Sequence, residues 1–168
     1  MKENDLNTII KNSFNAIAHA RAFKIPDGQH GISIQSPMDA FGAFQGFPLY
    51  YETKLIKNEL NAFSFSKIED HQFENLLWYH NNLVVDKFCL FIIGYYVPHS
   101  IKGVFIFDAK FVYDEAQKGL KSFKKPQMIK WKENGFFLPI NYYTINGKRQ
   151  ELIENLESMG SKIIKEYQ

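Results

Sequence analysis

The sequence predicts an α/β domain built on a mixed β-sheet flanked by helices. Three observations carry this. Residues 4–20 hold an apolar stripe at helical spacing. Residues 39–56 and 87–108 are aromatic and β-branched runs punctuated by turn residues. The order runs helix, three or four strands, helix, two strands, then more helix, which does not alternate as a doubly wound βαβ array does.

In the predicted helix over 4–20, Leu6, Ile9, Ile10, Phe14 and Ile17 recur at three- and four-residue steps, and Pro26, Asp27 and Gly28 stop it. A short strand is expected over 31–35. Residues 39–56 form a hairpin turning at Gln45-Gly46, where glycine supplies the φ a tight turn needs. Residues 57–66 are polar and read as a loop, and 67–82 as a helix. Residues 87–97 form a continuous apolar run, the pattern of a strand buried on both faces. Pro98-His99 turns the chain into a strand over 102–108. Short helices follow over 109–118 and 126–133, then an extended segment over 136–140 and an amphipathic helix over 148–166.

The chain has 168 residues, 45% of them hydrophobic, enough for one core and one domain over 1–168. The net charge of +2 does not mark a strongly basic chain, so any anion-binding surface must come from local segregation of charge. The single cysteine, Cys89, excludes a fold stapled by internal disulfides. The most apolar run, Phe88 to Val97, is too short to span a bilayer. The N-terminus MKENDLNTII does not read as a signal peptide. A soluble, cytoplasmic protein without a membrane partner is expected.

The hairpin carries the chemistry. A two-residue turn at Gln45-Gly46 pairs residues whose numbers total 91, which sets Asp39 opposite Glu52. Glu52 and Lys54 share one face of their strand. Directly opposed Cβ atoms lie about 5 Å apart. Two carboxylates at that distance repel by roughly 3 kcal/mol at an effective dielectric near 20. A shared proton, a basic neighbour such as Lys54 or a divalent cation offsets that repulsion. Mg²⁺ suits such a pair, because it takes one or two carboxylates and completes its shell with waters and substrate phosphate. The competing reading is a solvated acidic face with a cross-strand ion pair.

Lys118, Lys121, Lys124, Lys125, Lys130 and Lys132 lie in one stretch without an acid. Clustered lysines of this kind contact phosphates and supply sequence-independent DNA affinity. The alternative is a solvated helix-and-loop face, with Phe123 and Trp131 as core. Arg21 and Lys24 are a weaker basic pair. The five histidines lack zinc spacing, and no phosphate-binding glycine loop, dinucleotide fingerprint or G-x-S-x-G elbow is present. Cys89 sits in an apolar strand and reads as buried filler.

Asp39 followed by Glu52 and Lys54 resembles the PD-(D/E)xK signature of metal-dependent nucleases. Within that superfamily the chain resembles the RecU-type Holliday junction resolvases. Four segments carry the resemblance: DAFGAFQGFPLYYETK, SFSKIEDHQFENL, FIIGYYVPHSIKGVFIFDAKFVY and GFFLPI. They lie within residues 36–160, and the Glu-x-Lys and His-Gln segments are the specific ones. The resemblance implies a restriction-endonuclease-like mixed β-sheet flanked by helices. It implies catalytic roles for Asp39, Glu52, Lys54 and Gln72. Asp39, Glu52 and the Thr53 backbone carbonyl would hold Mg²⁺, with Mn²⁺ as a substitute. Lys54 would act on the attacking water and the phosphate, and Gln72 would help place them. Glu3 loosely matches an acidic residue in the first helix.

The function this implies is Mg²⁺-dependent, structure-selective endonucleolytic resolution of four-way (Holliday) junctions in recombination and repair. Lys121, Lys124, Lys125, Lys130 and Lys132 would bind DNA. The expected partners are branched DNA, a second copy of the chain and a recombinase. The alternatives are a nuclease of the same superfamily acting on other duplex or branched DNA, and a non-catalytic DNA-binding or recombinase-regulating module. One departure stands out. RecU proteins carry a long stalk before the active-site Asp, whereas only twelve residues separate Pro26 from Asp39 here.

Overall fold

A computed structural model describes residues 2–26, 36 and 38–166. In chain order the elements are α1 (Glu3–Asn15), β1 (Ala20–Lys24), β2 (Ala40–Phe44), β3 (Phe47–Lys57) and β4 (Phe63–Ser64). A 3₁₀ turn over Phe65–Lys67 leads into α2 (Asp70–Asn82), β5 (Phe88–Val97), β6 (Ser100–Asp108) and α3 (Ala109–Gln117). Then come β7 (Ser122–Phe123), α4 (Lys125–Glu133), β8 (Phe137–Ile145) and β9 (Lys148–Ile153). A 3₁₀ turn over Leu156–Ser158, α5 (Met159–Lys162) and β10 (Ile163–Ile164) close the chain.

The main sheet is mixed and runs β1-β2-β3-β5-β6-β8-β9. β3 and β5 are parallel, joined by the crossover that contains α2. β10 adds in parallel to β6 beyond the three residues that pair with β8. β4 and β7 make a separate two-stranded pair. The α/β class and the mixed sheet with flanking helices are therefore as expected.

Each face of the sheet carries its own apolar core. On one side α1 lays Leu6, Ile10 and Phe14 against Leu49, Tyr51, Leu90 and Ile92. On the other, Leu76 of α2, Val112 of α3 and Trp131 of α4 join Phe91, Ile93 and Phe107. β5 reads as a continuous apolar run because both of its faces are covered.

The hairpin register matches the sequence reading. Ala40 pairs with Tyr51 and Phe44 with Phe47. Gln45 and Gly46 both take positive φ, 50° and 85°, as a two-residue type I′ turn requires. Gly42 is needed for a different reason. A Cβ there would collide with the backbone of Arg21 and Ala22 on β1. The helices over 109–117 and 125–133 and the strands β5 and β6 also fall where expected.

Several expectations need correction. α1 ends at Asn15, not at residue 20. The Asn15 side chain accepts a hydrogen bond from the Ala22 backbone N–H (3.0 Å), which fastens the helix end to a strand. That strand, β1, has Ala20 and Ala22 buried under α1 while Arg21 and Phe23 point away. The strand expected over 31–35 lies outside the described residues. The segment 57–66 is not all loop, because Lys57 completes β3 and the buried Phe63 anchors β4. The helix expected from 67 starts at Asp70, and the extended segment from 136 continues to Ile145.

The helix expected over 148–166 is replaced by β9, a 3₁₀ turn, α5 and β10. Leu152, Leu156, Met159 and Ile163 are buried at helix-like intervals but belong to four different elements. The determining feature is Asn146-Gly147, with φ of 50° and 74°, which turns β8 into β9 and gives the outer edge of β8 a partner. Among the described residues, no helix is long and apolar enough to cross a membrane.

Candidate active site

β2 stops at Ala40, opposite Tyr51, while β3 runs on to Lys57. From residue 52 onward the β2-facing edge of β3 therefore has no strand partner in β2. Asp39, the residue before β2, occupies the first position beyond the ladder. Its Oδ2 accepts from the Thr53 backbone N–H (2.7 Å) and from Thr53 Oγ1 (2.6 Å). Its own N–H donates to Glu52 Oε2 (3.1 Å). The expected juxtaposition of Asp39 and Glu52 is present, and backbone N–H groups interleave the two carboxylates. The N–H and carbonyl of one strand residue leave along the same edge. The Thr53 carbonyl thus belongs to the edge occupied by Asp39.

Glu52 and Lys54 point to the face lined by α2, α3 and α4, and both are buried, at 4% and 6% exposure. Lys54 Nζ lies 3.8 Å from Glu52 Oε1. Gln72 Nε2 donates to the same Glu52 oxygen. The orientation of Gln72 follows from its place in α2. At the third position of the helix, its Oε1 accepts from the Glu69 backbone N–H (3.0 Å), one half of a capping box. With the oxygen committed to the cap, the amide nitrogen is the end that faces Glu52. His71 instead turns outward to Glu69, Nδ1 to Oε2 at 3.3 Å.

These contacts act on Glu52 in opposite directions. The Asp39 N–H and the Lys54 ammonium favour its ionised form. Burial opposes ionisation most strongly, the Asp39 charge adds to it, and Glu3 at the start of α1 contributes from the far side. The balance pushes the Glu52 carboxyl up to about 8. Burial and Asp39 likewise push the Tyr51 hydroxyl up. Two other acids, Asp39 and Glu3, therefore bear on one buried carboxyl group, with Lys54 as the cation in contact. Sequence spacing links Asp39 to Glu52, but it contains no signal for the approach of Glu3 or for the Gln72–Glu52 bond. Both depend on how α1 and α2 dock.

The donor set fits a hard cation. Among the described residues no group of three or more His, Cys, Asp and Glu side chains could hold a metal. Two carboxylates and an edge carbonyl, completed by water and phosphate oxygens, match the Mg²⁺ preference for few protein ligands. They do not match the closed nitrogen and sulfur sets of structural zinc.

The lysine segment divides. Lys118 is paired with Glu115 (2.7 Å) and Lys132 with Glu59, the latter also over the Phe137 ring at 5.1 Å. Lys121, Lys124, Lys125 and Lys130 are exposed and have no acidic partner among the described residues. Phe123 and Trp131 are core. The segment is tied to the site by the β4–β7 pair and by the Phe65 N–H bonded to the Lys121 carbonyl (3.0 Å), just ahead of α2.

No family model and no curated protein matches the chain. Among solved structures it is similar to Hjc, a Holliday junction resolvase from the archaeal hyperthermophile Archaeoglobus fulgidus. The identity is 11%, over 94% of this chain and 84% of that one, with a TM-score of 0.36.

The raised Glu52 acidity has a sign. Between its ordinary value of 4.5 and about 8, the unfolded chain has released this proton and the folded chain retains it. Metal-free stability therefore falls as pH rises through that window, by at most about 1.4 kcal/mol per pH unit. Urea unfolding in EDTA tests this between pH 5 and pH 8. Wild type should lose more stability across the window than Glu52→Gln, whereas parallel profiles would show that Glu52 titrates normally.

Proposed function

We propose that the chain is a Mg²⁺-dependent, structure-selective DNA endonuclease that acts on branched DNA, four-way junctions foremost. The observation that carries this reading is the meeting of Asp39, Glu52, Lys54 and Gln72 where β3 runs on past its ladder with β2. Those residue types, in the spacing that resembles the RecU-type resolvases, suit phosphodiester hydrolysis.

In this reading Asp39, Glu52 and the Thr53 carbonyl hold the cation, with Mn²⁺ able to replace Mg²⁺. When bound, the ion supplies Lewis acidity and a water activated for in-line attack on phosphorus. Gln72 fixes the rotamer of Glu52 through a nitrogen whose direction the α2 cap determines. Lys54 brings a positive charge to the same carboxylate. That charge offsets the negative charge that spreads over the phosphate oxygens in the transition state. Lys121, Lys124, Lys125 and Lys130 contact the DNA backbone, while Lys132 must first leave Glu59. Resolution needs two symmetric cuts, so the active form is a homodimer with one site per subunit. A cytoplasmic location and a recombinase partner belong to the same reading. The shortness of the 27–38 segment favours weaker discrimination against linear duplex than a stalk-bearing resolvase would have.

A labelled four-way junction and a linear duplex of matched sequence, each with Mg²⁺ or EDTA, test the function. Symmetric paired cuts in the junction, abolished by EDTA and by Glu52→Gln, are expected. Lys54→Ala should lower the single-turnover rate by about 10²- to 10³-fold with little change in DNA affinity. Equal cutting of both substrates by a monomer would replace the resolvase with a general nuclease of the same chemistry. A variant that loses affinity but keeps its rate would reduce Lys54 to a phosphate anchor.

The lysines are tested by salt dependence. Replacing Lys121, Lys124 and Lys125 by Gln should weaken binding to all DNA shapes alike. The slope of log affinity against log salt should fall by up to about 3, near 0.9 per lost phosphate contact. An unchanged slope would make the segment an ordinary solvated surface.

A further inference from the structure

The face of the sheet that carries Glu52 is covered over β5 and β6, whereas among the described residues no helix covers it over β1 and β2. Its side chains there fall into rows set by the strand registers. Phe23 pairs with Phe41, and Phe41 with Tyr50. One row beyond lie Asp39 and Glu52, with Lys54 a further step along β3. One row in the other direction lies Arg21, paired with Ala43 and through it with Pro48. Successive rows on one face are two residues apart, about 6.7 Å. The sequence of rows is thus a cation, a pair of rings, then the carboxylates and lysine of the site.

The aromatic row is only partly roofed. Tyr79 of α2 stacks on Tyr50 with ring centroids 4.1 Å apart and planes at 16°. Phe23 and Phe41 stack on each other at 5.7 Å and 28°, and remain 55% and 44% exposed. They do not contribute to either core. Two half-exposed rings are also far too small to hold a second copy of the chain. Even complete burial of one aromatic side chain covers about 150–250 Å², against about 800 Å² per partner in a stable interface.

We propose that Phe23 and Phe41 form a stacking platform for one unpaired nucleobase beside the scissile phosphate, with Arg21 receiving the phosphate on the far side of that base. This rests on the nuclease reading above and specifies the substrate feature it recognises. A base in intact duplex is already stacked and has no free face to offer. A base at a branch point costs less to unstack, so the platform favours branched over linear DNA. It gives the chain a means of reading an open junction centre without a long stalk.

The test uses the full chain carrying Glu52→Gln, so that bound DNA is not cut. The probes are a four-way junction with 2-aminopurine at the branch point and a linear duplex of the same sequence. In this background Phe41→Ala and Phe23→Ala should weaken junction binding by about 5- to 150-fold, the range of stacking per base, and leave duplex binding unchanged. Phe41→Leu should behave like Phe41→Ala, and Phe41→Trp should restore binding, because a ring and not apolar bulk is required. The parent should quench the 2-aminopurine signal, and the Ala and Leu variants should not. Unchanged quenching and affinity in Phe41→Ala, or loss of a dimer in the absence of DNA, would overturn the platform alone. Failure of the parent to bind either DNA would overturn the nuclease reading and the platform with it.

Discussion

A carboxylate 4% exposed, on a β-strand edge that β2 leaves unpaired and within the field of two other acids, is an unfavourable arrangement unless something positive completes it. Glu52 is that carboxylate, and the surrounding structure is arranged about it. The Asp39 N–H holds one of its oxygens, and Gln72 and Lys54 converge on the other. Removing Glu52 alone would leave the Lys54 ammonium, the Gln72 amide and the Asp39 N–H without the oxygens they converge on. In the proposed function, Asp39, Lys54 and Gln72 around Glu52 make the frame for a cation and a phosphate.

The sheet makes that frame possible through unequal strand lengths. β2 stops opposite Tyr51, which leaves Glu52–Lys57 of β3 without a partner in β2, because Asp39 breaks from the ladder and turns its carboxylate to Thr53. On its other edge β3 is paired in parallel with β5 from Leu49 to Lys57, which makes it rigid. Two separate cores clamp β3 and β5 from above and below. The site therefore sits on a buried, doubly covered strand, along the edge that has no strand partner beyond Tyr51 among the described residues. Such a support suits the precise placement that the proposed function asks of these groups.

Much of this was legible in the residues, for local reasons. Gln45-Gly46 set the hairpin register and hence the Asp39–Glu52 opposition, because a two-residue turn leaves no freedom of pairing. The apolar run of β5 announced burial on both faces. The failures were equally local in origin. Ile17 continued the stripe of α1, and the absence of Gly or Pro before Pro26 concealed the small–large alternation of Ala20 to Phe23 that marks β1. With β1 went the placement of Arg21 and Phe23 on the site face. The C-terminal apolar spacing mimicked a helix, although Asn146-Gly147 is a strong hairpin signal. The Gln72–Glu52 bond and the approach of Glu3 arise from helix docking, and no periodicity encodes them.

In the proposed function, a divalent cation shared by Asp39 and Glu52 relieves the conflict at Glu52. Calorimetric titration of Mn²⁺ into the full-length chain in two buffers of different ionisation enthalpy addresses it directly. The account predicts one site per chain, proton release on binding at pH 7 because the cation displaces the proton that burial keeps on Glu52, and loss of the site in the Asp39→Asn/Glu52→Gln double variant. Equal Mn²⁺ affinity in wild type and double variant would contradict it and place the metal, if any, elsewhere in the molecule.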